Sequence, residues 1–178
     1  MAVVDANDSF LFANVGCQGR ISDGSVFKNT DLSNNLENQT LNLPPPTLLP
    51  GQIEETPNVF VADDAFPLHF NIMKPYPGIH LKGSPKRAYN YRICRARRIV
   101  DNAFGILSSV FRALRKQLLL EPQKAISITL ACVYLHNFLR KSKQSMKLYC
   151  PDGTFDTEVD GTGNVIEGMW RKNAGNQT

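Results

Sequence analysis

Three carboxylates stand out by position. Asp5 follows the apolar run Ala2-Val3-Val4, Asp63 follows Val59-Phe60-Val61-Ala62, and Asp101 comes one residue after Val100 inside a long periodic stretch. Acidic groups at strand ends and on an adjacent helix can converge on one crevice of a helix-covered sheet. Converging carboxylates with no His or Cys beside them suit a hard divalent cation, Mg2+ or Mn2+, bound together with waters and phosphate oxygens. Two such ions can clamp the attacking and leaving oxygens of a phosphodiester displacement, so the chain needs no nucleophile of its own. Each residue also has a plain structural reading. Asp5 can open a turn, Asp63 and Asp64 can form a turn or a helix cap, and Asp101 can balance Arg97 or Arg98. The spacing of the three is compatible with a catalytic triad without being diagnostic of one.

A basic stretch flanks the third carboxylate. Lys82, Lys86, Arg87, Arg92, Arg95, Arg97 and Arg98 occur with Tyr89 and Tyr91 among them, and no acidic residue lies between Asp64 and Asp101. Such a stretch neutralises phosphates and gives salt-sensitive nucleic-acid binding. The bland alternative is a solvated helix face that doubles as a nuclear-import signal. Lys86, Arg87, Arg92, Arg95, Arg97 and Arg98 are the expected backbone contacts. A second patch, Arg140-Lys141-Ser142-Lys143 with Lys147, reads as cations suited to a helix C-terminus.

These groups need elements to hold them. Ala2-Val3-Val4 and the apolar run 10–15 read as two strands around a polar turn. Gly16, Gly19 and Gly24 shape the following loop, which lacks the Lys-Ser/Thr of a phosphate-binding P-loop. Residues 25–37 can hold a short helix. The proline run 44–50 predicts an extended surface connection, residues 58–62 a third strand, and 67–83 a loop. From about Tyr89, Ile93, Val100, Ala103, Leu107, Val110, Phe111 and Leu114 recur at helical spacing. Pro122 opens a second helix running to about Lys141. His136 and Asn137 lie in its apolar part and read as a packed, hydrogen-bonded pair, not a metal site.

The 178 residues suit one domain, and 42% hydrophobic content can build a core. A net charge of +4 implies nothing about partners by itself. The four cysteines are scattered, which gives a structural zinc site no support and makes an intracellular, thiol-reduced protein the default. No apolar run is long enough to span a membrane. A buried-type strand at the first residue suggests that preceding sequence is missing. Residues 1–145 are expected to form the domain. Residues 146–178 are expected to form an acidic, loosely ordered tail with Trp170 docked and turns at Asp152-Gly153, Asp160-Gly161 and Gly163-Asn164.

Four strings resemble the DDE superfamily endonuclease domain of PIF/Harbinger transposases and their domesticated relatives. They are Val4-Asp5-Ala6 with residues 15–24 (VGCQGRISDG), residues 61–68 (VADDAFPL), residues 98–107 (RIVDNAFGIL), and residues 135–139 (LHNFL). The resemblance implies an α/β, RNase H-like mixed sheet flanked by helices, here as an N-terminally truncated copy. It also implies a divalent metal cofactor and DNA cleavage in the nucleus. The family's catalytic aspartates fall on Asp5 and Asp63, and its third carboxylate, normally glutamate, is Asp101. The family's N-terminal DNA-recognition helices have no counterpart in these residues, so target choice is expected to come from missing sequence or from a separate partner, for which the family suggests a Myb/SANT-like protein. The alternative is a catalytically silent domesticated domain that binds DNA or a chromatin partner. The sequence leaves the oligomeric state open.

Overall fold

A computed structural model describes residues 1–159 and 164–175, without the side chains of residues 173–175. The turn expected at Asp160-Gly161, and Gly163 of the next one, lie outside the described residues. Strands β1 (Ala2–Val4) and β2 (Phe10–Ala13) pair antiparallel, with an irregularity between Val3 and Val4. Helices α1 (Asp23–Lys28) and α2 (Asp31–Glu37) follow. Ser22 and Thr30 cap them by accepting the N–H of Ser25 and Ser33, so the single helix expected here is split at Thr30.

Beyond the prolines, β3 (Thr47–Leu48) pairs antiparallel with β4 (Glu55–Thr56). β5 (Phe60–Val61) pairs parallel with β6 (Ile72–Met73), inside the stretch expected to be loop. Two residues are too short to show alternation, which is why β6 was not visible in the sequence. Helix α3 spans Pro85–Val110. It stops where Arg115 folds back, donating from Nε to the Ser108 carbonyl and from Nη2 to that of Ser109. That satisfies carbonyls left over at the helix end. The apolar period continued past this point into a 3-10 turn, Arg112–Arg115.

Helix α4 (Pro122–Lys141) has its proline in the first turn, as expected. Then come α5 (Lys143–Tyr149), the antiparallel pair β7 (Thr157–Glu158) and β8 (Val165–Ile166), and α6 (Met169–Gly175). The result is a mixed α/β chain. Where one mixed sheet was expected, the described strands form four two-stranded ladders.

Contacts divide the chain into two compact units. The first comprises Met1 and residues 17–97, the second residues 2–16 and 98–178. In the first, Val26, Phe27, Leu32, Leu36, Ile72 and Ile93 are buried, and Phe27 meets Phe66 edge-on. A Cβ at Gly24 would collide with the Ala65 carbonyl, so only glycine allows that approach. In the second, Phe10, Ala103, Leu107, Cys132 and Val133 form one apolar cluster. Ile106, Tyr149 and Cys150 form another, with Phe155 and Trp170 packed against it.

The described part of 146–178 is thus built into the second unit. The buried Asp156 carboxylate accepts two hydrogen bonds from Arg171 Nε, at 3.0 and 2.9 Å, and one from Nη2 at 2.6 Å. The Trp170 indole N–H donates to Asn102. An acidic, turn-rich composition reads as solvated. It gave no sign that one of its acids is buried against an arginine 15 residues later.

Candidate active site

Asp5 sits just after β1. Its Oδ1 accepts the N–H groups of Asn7 (2.8 Å) and Ser9 (2.9 Å), the turn role that the sequence offered as its plain reading. Both bonds fall on one carboxylate oxygen. Asp8, at the end of that turn, is buried with φ of 58°. Burial pushes its carboxyl up to about 6, against the opposing pull of Arg140 and with a small push from Asp5.

Asp63 sits just after β5, and its Oδ1 accepts the Ala65 N–H at 3.0 Å. The turn is tied from outside by Lys74, whose Nζ donates to the carbonyls of Asp64 (2.8 Å) and Phe66 (2.7 Å). Arg97 lies 3.8 Å from Asp63 Oδ2, both side chains being about 30% exposed.

Asp101 is exposed on α3 and lines a cleft of about 470 Å³ with Phe104, Gly105, Ser108, Trp170 and Arg171. The next residue, Asn102, is buried, and its side-chain carbonyl accepts from the Asp156 N–H and from Trp170. Burial pushes Asp156 up. Hydrogen bonds from Arg171 and the Gly168 N–H, with the charges of Arg171 and Arg98, outweigh that and leave it below the usual carboxylate range. Asp101 therefore projects from a helix turn whose inner side is fixed by the C-terminal segment.

The predicted ligands are divided between the units, Asp63 in the first and Asp5 and Asp101 in the second. Among the described residues no group of three or more His, Cys, Asp or Glu is placed to hold a metal ion. The donor chemistry still fits Mg2+ or Mn2+, because these ions are commonly bound through one or two carboxylates, with waters and substrate phosphates completing the shell.

The basic residues separate by environment. Lys86, Arg87, Arg92 and Arg95 are exposed, and the Lys86 ammonium lies 5.3 Å from the Tyr76 ring centroid. Arg97 and Arg98 are half-buried and hold acidic partners, Arg97 with Asp63 and Arg98 with Glu158 at 3.6 Å. Asp101 is thus not the acid that balances either of them in the described ion pairs.

The expected His136–Asn137 pair is present. His136 is fully buried, bonded at Nδ1 to the Tyr149 hydroxyl and at Nε2 to the Asp8 carbonyl, both at 2.7 Å. The family model described as DDE superfamily endonuclease matches residues 1–137 of the 178. The chain belongs to that family. No curated protein and no solved structure matches it. Membership makes this a domain of transposase-derived nuclease type, with DNA as the implied substrate. The endonuclease match takes in Asp5, Asp63, Asp101, the whole basic stretch and His136-Asn137, and it stops before Arg140 and the segment that carries Asp156 and Arg171. No helix among the described residues is long and apolar enough to cross a membrane.

Proposed function

We propose that this endonuclease domain is a divalent-metal-dependent nuclease of the PIF/Harbinger transposase kind, with an RNase H-like catalytic core that cleaves phosphodiester bonds in DNA. The observation that carries the reading is the family match over residues 1–137, which contains all three carboxylates in order.

Asp5, Asp63 and Asp101 would hold Mg2+ or Mn2+. When bound, the ions supply charge to activate water and to stabilise the departing oxygen. The chain's own residues do the rest. The Asp5 and Asp63 turns present carboxylates whose orientation is set by backbone N–H donors. Lys86, Arg87, Arg92 and Arg95 neutralise the DNA backbone, joined by Arg97 and Arg98. The basic run supports a nuclear location, and kinship to PIF/Harbinger elements points to a Myb/SANT-like partner for target choice. Aspartate at 101 is one methylene shorter than the family's glutamate.

Plasmid nicking in Mg2+ or Mn2+ tests the reading. Asp5→Asn should abolish nicking and Asp101→Glu should raise it. Nicking that survives Asp5→Asn would contradict it. A second reading, a silent DNA-binding domain, is favoured by the 3.8 Å approach of Arg97 to Asp63, where a guanidinium takes the place a cation would need. That reading expects DNA bound salt-sensitively and left uncut by every variant.

A further inference from the structure

We propose that α4 is the positioning element of the nuclease site, with His136, Asn137 and Arg140 holding the turn that aims the Asp5 carboxylate. The inference rests on the metal-binding role of Asp5 proposed above. These three side chains sit at spacings of one, three and four along α4, so they share one side of the helix.

Each makes at least one hydrogen bond to the backbone of residues 7–10, about 130 positions away. Arg140 donates from Nη2 to the Asn7 carbonyl at 2.6 Å and from Nε to the same oxygen at 3.1 Å. Its Nη2 also lies 2.9 Å from Asp8 Oδ2. His136 Nε2 reaches the Asp8 carbonyl. A carbonyl only accepts, so Nε2 must carry the proton, and in a neutral ring Nδ1 then accepts from the Tyr149 hydroxyl. Asn137 takes both backbone groups of Phe10. Its Oδ1 accepts the N–H and its Nδ2 donates to the carbonyl, each at 2.8 Å, as a neighbouring strand would.

What is held is a consequential piece of chain. Asp8 has a left-handed φ, a turn conformation that aspartate adopts more readily than most residues. The Asn7 and Ser9 N–H groups are the two donors on Asp5 Oδ1. The Asp8 carbonyl that His136 holds shares a peptide plane with the Ser9 N–H, so fixing it fixes where that donor points, and with it the Asp5 carboxylate. A fully buried histidine and a nearly buried arginine would be costly simply to staple a hairpin that already has its own ladder. Groups that orient a metal ligand from behind are worth that cost.

The test is Mn2+ affinity by electron paramagnetic resonance, on the full chain and well below the melting temperature, with the melting temperature recorded separately. Asp5→Asn should weaken binding most. Arg140→Gln and Asn137→Ser should each weaken it by roughly tenfold while the protein remains folded, and Arg140→Lys should recover part of the loss. If Arg140→Gln does not fold, Arg140→Lys and Asn137→Ser carry the comparison. Folded variants with wild-type affinity, beside a weakened Asp5→Asn, would overturn the positioning role and leave the metal reading intact. Equal affinity in wild type and Asp5→Asn would overturn both.

Discussion

The His136 ring is bonded to the Asp8 backbone carbonyl in one buried network, and the two residues respond to acid in opposite senses. Asp8 is raised from 3.8 to about 6, so the folded protein binds its proton more tightly than the unfolded chain does. Its contribution to stability is complete below about pH 4 and is lost as pH rises through about 6. His136 is lowered by burial and by Arg140, against its bond to the Asp8 carbonyl, so acidification below the ordinary histidine range favours unfolding. Asp156 is held low and gives up stability only as pH falls through its folded value.

Asp8→Asn separates the first of these. Asparagine keeps an acceptor for Arg140 and tolerates positive φ. Between about pH 4 and about pH 7 the melting temperature of the variant relative to wild type should shift in the variant's favour by several degrees. Parallel pH profiles for the two proteins would show that Asp8 does not titrate in this window.

The sequence showed His136 and Asn137 as a structural pair because both interrupt an apolar helix. It showed Arg140 only as a helix-end cation, because its partners Asn7 and Asp8 lie more than 130 residues earlier.

At the scale of elements, what was legible is what repeats. α4 was readable from Pro122 and its period, α3 from its apolar stripe, and the β1–β2 hairpin from two apolar runs around a polar turn. β6 and the ladder β3–β4 were not, since two-residue strands carry no period. The described part of the C-terminal segment carries no such period either, and specific long-range partners hold it. Asn102, Gly105, Asp156, Trp170 and Arg171 form one interlocked group. A Cβ at Gly105 would run into the Trp170 ring. Gly105→Ala should therefore destabilise the protein by about 1–3 kcal/mol in denaturant melts. It should also shift tryptophan fluorescence, which reports directly because Trp170 is the one tryptophan in the chain. An unshifted spectrum with unchanged stability would mean that the segment is not docked on α3.

For the molecule as a whole, the proposed DNA binding depends on where the charges are placed. The exposed cations of the first half of α3 should contribute to counterion release. Substituting Lys86 or Arg87 by Gln should lower the slope of log affinity against log salt by about 0.9 for each phosphate that is no longer neutralised. Arg97→Gln should change the slope less, because that side chain already faces Asp63.

The central claim, that three acids distant along the chain serve common divalent ions, has a direct physical test. Mg2+ can be replaced by Fe2+, and hydroxyl radicals generated at the bound iron with ascorbate and peroxide cut the nearest backbone. Three cuts, close to residues 5, 63 and 101, disappearing together in Asp63→Asn, are the expected result. Cutting at one of these places alone, or a pattern that Asp63→Asn leaves intact, would contradict it.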